Sequence, residues 1–383
     1  MKSKIVTIVV SAFLVRFILL VINTYWFHLP QGGADAVRFD RVAYQMSISS
    51  YGYSAIEIIS DGTRMHVWLG SILYSIFGQV PFLWGLIMVI LGTATVRNIH
   101  RGVFLITDNN KLANRSGWIA AFFPNLAVLS ALVLREAPVH FFLSIAALFL
   151  IKYFKYKSTR HLFLFSVFGF TASLFHTGLF ALFFGFVFFQ ILLSRKSNFF
   201  TKLIVSSLCI VGLYFVNQTG IGLNKFGGSF EAGLVSIQEG TGELLEHAGS
   251  NYPDWLHLKG NIYDLLLLPI RLVAFFFAPL IPFMVRTGSH LIGIIDVLFY
   301  MFILVTMYKR RKFLWRSDIN KAVISMALAV SLVFALGVSN FGTNIRHRAK
   351  VLPLLLMVPL VFKSDIKQKY RYSYTHPPEP KST

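Results

Sequence analysis

The chain has 383 residues, of which 55% are hydrophobic and only 14% charged, against about 25% charged in globular domains. Mean hydropathy is +0.64 and Phe alone occurs 39 times, which excludes a soluble globular protein, a disordered chain and a secreted disulfide scaffold. What remains is an all-α polytopic membrane protein: apolar runs of this length need lipid as solvent, and backbone in lipid must close its own hydrogen bonds.

In chain order, apolar runs suited to crossing a bilayer occupy residues 5–26, 67–96 (one net crossing), 118–134, 137–151, 162–175, 178–193, 203–216, 291–308, 322–338 and 351–362. The stretch 265–285 is apolar but carries Pro269, Arg271, Pro279 and Pro282, so it reads as re-entrant or interfacial. The piece 67–77, ahead of the turn at Gly78–Pro81, is too short to span comfortably. With the interrupted stretches the count is about 10–12 transmembrane helices, with interfacial or re-entrant helices on the outer side. They form one membrane domain, residues 1–362, followed by a basic tail, 363–383, expected to lack structure. The first run keeps Arg16 at mid-depth and is followed by no small-residue cleavage site, so it reads as an uncleaved span. The sequence shows no internal repeat, and the lone Cys209 has no partner within the chain.

The net charge of +20 first suggests a nucleic-acid partner. Its distribution argues against one. Two thirds of the Lys and Arg, and the whole positive excess, fall on one side of these crossings. That side reads as cytoplasmic, with both termini inside, and anionic lipid accounts for the charge.

The outer loops, 27–66, 217–264 and 339–350, with the short turns at Arg135–Glu136 and His176–Thr177, therefore hold the informative polar residues. In the first loop a Gly-rich turn delivers Asp35, with Asp35, Phe39 and Val42 on one face of a short interfacial helix. Asp35 reads either as a helix cap flanked by headgroup-binding arginines or as a general base or metal ligand at the membrane surface. Asp61, Arg64 and His66 follow as accessory candidates. Arg135 and Glu136 place opposite charges at a hairpin mouth, either as a local ion pair or as a functional couple. In the third loop Arg346, His347, Arg348 and Lys350 put positive charge on the side where it is disfavoured. They call for an anion, a phosphate or pyrophosphate being the natural partner of arginine; lipid headgroups or the acidic loop are the alternative. Arg271 is a further phosphate contact. Arg16 and Asp296 are intramembrane charges that either pair or line a cavity. The long loop carries Glu231, Glu239, Glu243 and Glu246, with Tyr252, Trp255 and Tyr263 among its aromatics, and 229–246 is readable as an amphipathic helix. Walker A, Rossmann, HExxH and Cys/His metal motifs are missing, which argues against an ATP-driven pump and a zinc protease.

Three segments, GADAVRFDRVA (33–43), PNLAVLSALVLRE (124–136) and GTNIRHR (342–348), together resemble those of the Wzy-like polysaccharide polymerases and the broader GT-C glycosyltransferases. The resemblance implies a multi-span enzyme that takes a polyprenyl-phosphate- or polyprenyl-pyrophosphate-linked sugar and a glycan acceptor, in O-antigen or exopolysaccharide synthesis. Other polysaccharide assembly proteins and membrane lipids would be its partners. It places Asp35 at the catalytic centre and matches Arg135 or Glu136 to a second charged position. The sequence departs from the metal-dependent GT-C pattern in having no Asp-x-Asp or Asp-Glu pair in the first loop, which puts a divalent metal in doubt; no cofactor is expected. Such chemistry needs cations at a lipid-phosphate leaving group and a carboxylate to deprotonate a sugar hydroxyl. A transporter or flippase of lipid-linked oligosaccharides is the competing reading, less favoured because repeats are missing and charge is concentrated at the outer mouth. A structural scaffold would leave 340–350 unexplained.

Overall fold

The structure is a computed structural model that describes residues 2–49, 52–193, 252–256, 264–279, 288–338 and 340–365. Among these residues the protein is all-α and polytopic, with no strand. The predicted crossing at 203–216, the helix at 229–246, nearly all of the loop 217–264 and the tail beyond Asp365 lie outside the described residues.

The helices are α1 (Lys2–Tyr25), α2 (Ala34–Ile48), α3 (Ala55–Ser60), α4 (Gly62–Phe77), α5 (Pro81–Thr107), α6 (Asn110–Phe122), α7 (Pro124–Leu129), α8 (Glu136–Tyr156), α9 (Thr159–Phe175), α10 (Ala181–Phe188), α11 (Asp264–Phe277), α12 (Gly288–Lys309), α13 (Arg311–Leu314), α14 (Asp318–Leu336) and α15 (Phe341–Met357). Among the described residues four of them, α1, α5, α8 and α14, are long and apolar enough to cross a membrane. Among the other described apolar stretches, α9, α11 and α15 are shorter helices of 17, 14 and 17 residues, whereas α12 runs unbroken for 22. On α1, Val6, Val10, Leu14 and Ile18 recur every four residues and are 58%, 49%, 50% and 56% exposed. Such a stripe would drive association in water, but lipid tails are as apolar as the side chains that meet them.

α1 and α5 pack antiparallel: Leu20 lies against Gly85, and Arg16 beside Gly92. Within 67–96 only α5 makes the crossing. α4 starts on the Phe175 carbonyl at the end of α9, and its Tyr74 meets Trp84, in the first turn of α5, edge to face while His66 lies tilted against it. Pro81 opens α5, where its missing N–H has no intrahelical role. α4 therefore stays at one end of the bundle with α2, an interfacial pair bolted by Asp40, which accepts from Tyr74 Oη and, at 2.9 Å, from Gln79 Nε2.

The predicted span 118–134 is broken. Pro124 cannot donate to the Ala120 carbonyl, and the Asn125 N–H turns instead to Asp296 Oδ1 at 3.2 Å. The freed carbonyls of Ala120 and Ala121 accept from Arg16 Nη2 and Nη1 at 3.2 and 3.0 Å. Arg16 and Asp296 thus do not pair with each other. The guanidinium meets the carbonyl end of α6 and the carboxylate meets the amide end of α7, each the charge that a helix terminus favours. Residues 130–135 then run without helix between α7 and α8. Ser130, Ala131, Leu132 and Leu134 have no exposed surface, the condition under which irregular backbone is tolerated at membrane depth.

Of the 265–285 stretch the described part is α11, which ends at Phe277, and the two residues after it. Arg271 on α11 reaches the carbonyls at the end of α14, Ala335 (2.9 Å), Leu336 (3.2 Å) and Val338. Phe276 and Ala278, at the far end of α11, meet Arg348, two turns inside α15. α12 departs from that level, with the Gly293 carbonyl 2.7 Å from Arg348 Nη2. It descends beside α15 until Phe302 meets Phe362. At the foot of the bundle lie the connections after α5, α8 and α12, together with the residues that follow α15. There Lys155 pairs with Asp108 at 2.7 Å, and Lys111 and Arg115 with Asp365 at 3.1 and 2.8 Å. This is the basic end. α2, α4 and the start of α15 mark the opposite one.

Candidate functional site

The site lies where two apolar cores meet. Ala137 and Ala349 belong to the core shared with α2 and α4, whereas Val139 and Val351 belong to the larger one below. Between them Glu136 opens α8 with no exposed surface. Arg346 and Lys350, four positions apart, project from one face of α15. Glu136 Oε1 accepts from Arg346 Nε at 3.1 Å and Nη2 at 2.9 Å, and Lys350 Nζ stands 3.2 Å from the same oxygen. Arg346 Nη1 donates to Asp35 Oδ2 at 2.6 Å. One guanidinium therefore spans two carboxylates, one sealed in the protein and one 39% exposed. A buried carboxylate persists only when paired in this way.

Arg135, the residue before α8, donates to Thr63 Oγ1 of α4 at 3.1 Å and ties the interfacial pair to the bundle. It lies close enough to act electrostatically on Glu136 and Arg346. Arg135, Arg346 and Lys350 gather around Asp35 and Glu136, with Asp61 also within electrostatic reach of Arg135. His347 stacks on His176 and Phe334, so the histidine at the His176 turn packs beside the site.

Several expectations are corrected. The stretch 339–350 is no loop: Asn340 caps a helix by accepting from Thr343 N at 2.8 Å, so α15 begins ten residues before the predicted span. Asp35 is not a cap. It sits in the first turn of α2, whose N-cap is Gly33. Arg135–Glu136 is no exposed hairpin mouth but the end of a buried, unwound segment. Arg348, read as a phosphate contact, is fully buried, with its Nη atoms on the carbonyls of Phe276 (3.3 Å), Ala278 (2.6 Å) and Gly293 (2.7 Å). Arg271, also read so, is held by the carbonyls of Leu256, Ala335, Leu336 and Val338. Successive residues on a helix point about 100° apart, which sends Arg346 and Arg348 to different neighbours. Asp61 caps α4 through Thr63 N at 2.8 Å, Arg64 pairs with Glu57 at 2.8 Å, and His66 is buried between Phe39 and Trp84. These three build the outer helices.

Lys350, noted in sequence only as one of the basic residues of 346–350, and His140, not singled out there, join the site. His140 lies one turn after Glu136 on α8, fully buried and within electrostatic reach of Glu136 and Lys350. The signal for both was spacing: four residues after Arg346 and four after Glu136. Among the described residues no group of three or more His, Cys, Asp or Glu stands ready to hold a metal ion. In comparisons with known proteins, no family model and no curated protein matches the chain.

Proposed function

We propose that the protein is an integral-membrane glycosyltransferase or polymerase. Its donor is a polyprenyl-phosphate- or pyrophosphate-linked sugar, its product a cell-surface polysaccharide, and its site faces outward from the inner membrane while the basic end faces the cytoplasm. One observation carries this reading. The three segments whose sequences resemble that class, 33–43, 124–136 and 342–348, meet at a single contact, Asp35–Arg346–Glu136, although they lie as many as 311 positions apart.

The geometry divides the labour. Asp35 is the carboxylate with access to the outside, so it takes the proton of the acceptor hydroxyl. The hydroxyl oxygen attacks the anomeric carbon, the bond from that carbon to the phosphate oxygen breaks, and the phosphate leaves with the electron pair. Arg346 stabilises that developing charge. Glu136, sealed and triply approached by cations, is a positioning residue: its Oε1 fixes the guanidinium by accepting from both Nε and Nη2. Lys350 shares the same oxygen.

The test is product formation in membranes. Asp35→Asn abolishes glycoside or polymer formation while the protein still accumulates; unchanged product from that variant refutes the assignment of the base. One feature favours a second reading. The interrupted α6–α7 pair and the inward-ending α11 are geometries that carriers use at mid-membrane. A carrier would move the intact lipid-linked sugar and leave its anomeric bond uncleaved, which the same assay distinguishes.

A further inference from the structure

In this structure Asp35 is engaged by a guanidinium N–H, Oδ2 to Arg346 Nη1 at 2.6 Å. The contact is also a latch. It joins the outer pair α2–α4, which Asp40 makes one unit through Tyr74 and Gln79, to α15. Its two halves differ: the Glu136 side is sealed, whereas Asp35 is 39% exposed. The atoms behind the latch are closed in without partners, Glu136 Oε2, Arg135 Nε and His347 Nδ1 among them. Buried polar groups left so call for an explanation. A site shut over chemistry that it meets only when open supplies one.

We infer that the donor's phosphate or diphosphate displaces Asp35 from Arg346 Nη1, so that donor binding itself releases the base. This rests on the glycosyl-transfer reading and adds an order to it. Before the donor arrives, Asp35 is held against Arg346. Once an oxyanion holds Nη1, Asp35 is free to accept the acceptor's proton, while Arg346 already holds the oxygen that will leave with the electron pair. Acceptor and water are not activated ahead of the donor. Glu136 does not exchange, because its two bonds to Nε and Nη2 are buried.

The consequence is opposite in sign to that of an ordinary contact residue. Asp35 competes with the ligand, so Asp35→Asn should bind a short-chain prenyl diphosphate about two- to fivefold tighter than wild type, the fold-change for removing one partly exposed charge pair. A base that merely touches substrate predicts equal or weaker binding. Binding is measured by equilibrium titration of detergent-purified protein. A second measurement needs no change at Asp35. Spin labels at Val37→Cys on α2 and Val333→Cys on α14, both exposed, in a Cys209→Ser background, report the distance across the latch. Saturating prenyl diphosphate should lengthen or broaden that distance in the otherwise wild-type protein. If the diphosphate binds but the distance stays fixed and Asp35→Asn binds no tighter, the latch is wrong and the catalytic reading stands. If the diphosphate does not bind wild type or Asp35→Asn at all, the donor reading fails and the latch falls with it.

Discussion

Glu136→Gln is nearly isosteric, so it removes charge without emptying space. In the native protein the carboxylate has no exposed surface, accepts two bonds from Arg346 at 3.1 and 2.9 Å and faces Lys350 at 3.2 Å. The neutral amide leaves Arg346 and Lys350 with Asp35 as their one counter-charge in this cluster. Removing one partner from a buried pair costs about 3–5 kcal/mol, a large part of the roughly 5–15 kcal/mol that holds a native protein together. The single variant should therefore unfold at markedly lower temperature in detergent and accumulate poorly. Adding Lys350→Met removes the uncompensated ammonium and replaces it with an apolar chain of similar length. The double variant should recover about 1.5–3 kcal/mol, a coupling within the range for residues in direct contact. Thermal unfolding of the four proteins of this cycle gives the coupling directly. Equal stability of Glu136→Gln and wild type, or additive losses in the double variant, would refute the claim that one buried carboxylate holds this cluster.

Arg346→Lys keeps the charge but loses the fork that reaches Asp35 and Glu136 at once; transfer activity should fall about tenfold or more, from the loss of at least one charge-assisted bond at about 1.5–3 kcal/mol. Arg348→Lys should act on folding instead: three carbonyls of α11, its C-cap and α12 lose their donor, so thermal stability drops, and the surviving folded fraction retains its turnover. Gly62→Ala would place a methyl 2.0 Å from the Phe175 carbonyl oxygen, so the α4–α9 seam must shift; lower yield of folded protein checks this, and a wild-type yield would show that the seam is looser than described. At the basic end, burial raises the Asp365 carboxyl pKa, but hydrogen bonds from Arg115, the Phe362 N–H and Lys111 outweigh it and hold the carboxyl at about 2. A depressed carboxyl contributes stability above its unfolded value of about 3.9, and that contribution is lost as pH falls through the folded one. Docking of residues 360–365 should therefore resist proteolysis at pH 5 and weaken only as pH falls from about 4 towards 2, whereas Asp365→Asn should be clipped at every pH.

Much of this arrangement is written locally. Apolar runs with basic flanks show through because lipid and anionic headgroups act on each segment separately, and the costly charges at 35, 135–136 and 346–350 stand out against them. The partners of those charges are not local. Arg346 and Arg348 look alike in sequence, yet one faces two carboxylates and the other faces carbonyls freed where α11 stops. Only the register of α15, set by the Asn340 cap, separates them. Arg271 answers the carbonyls at the end of α14, and Arg16 answers those that Pro124 strands in α6. Each is a backbone debt created by a helix end far away in the chain. Asn340 and the spacings 136–140 and 346–350 were readable as cap and helix face, and with them the pairing of Lys350 with Arg346 and the extra member His140 come within reach.

The central claim is that Asp35 and Arg346 together cleave the anomeric bond of a lipid-linked sugar. The most direct measurement is single-turnover release of polyprenyl phosphate or diphosphate from a purified, bilayer-reconstituted protein given labelled donor and acceptor glycan. Wild type should release the lipid carrier in step with glycoside formation, and Asp35→Asn should bind the donor yet release none. Carrier release that persists in Asp35→Asn, or donor that crosses the bilayer intact with no release by wild type, would contradict it.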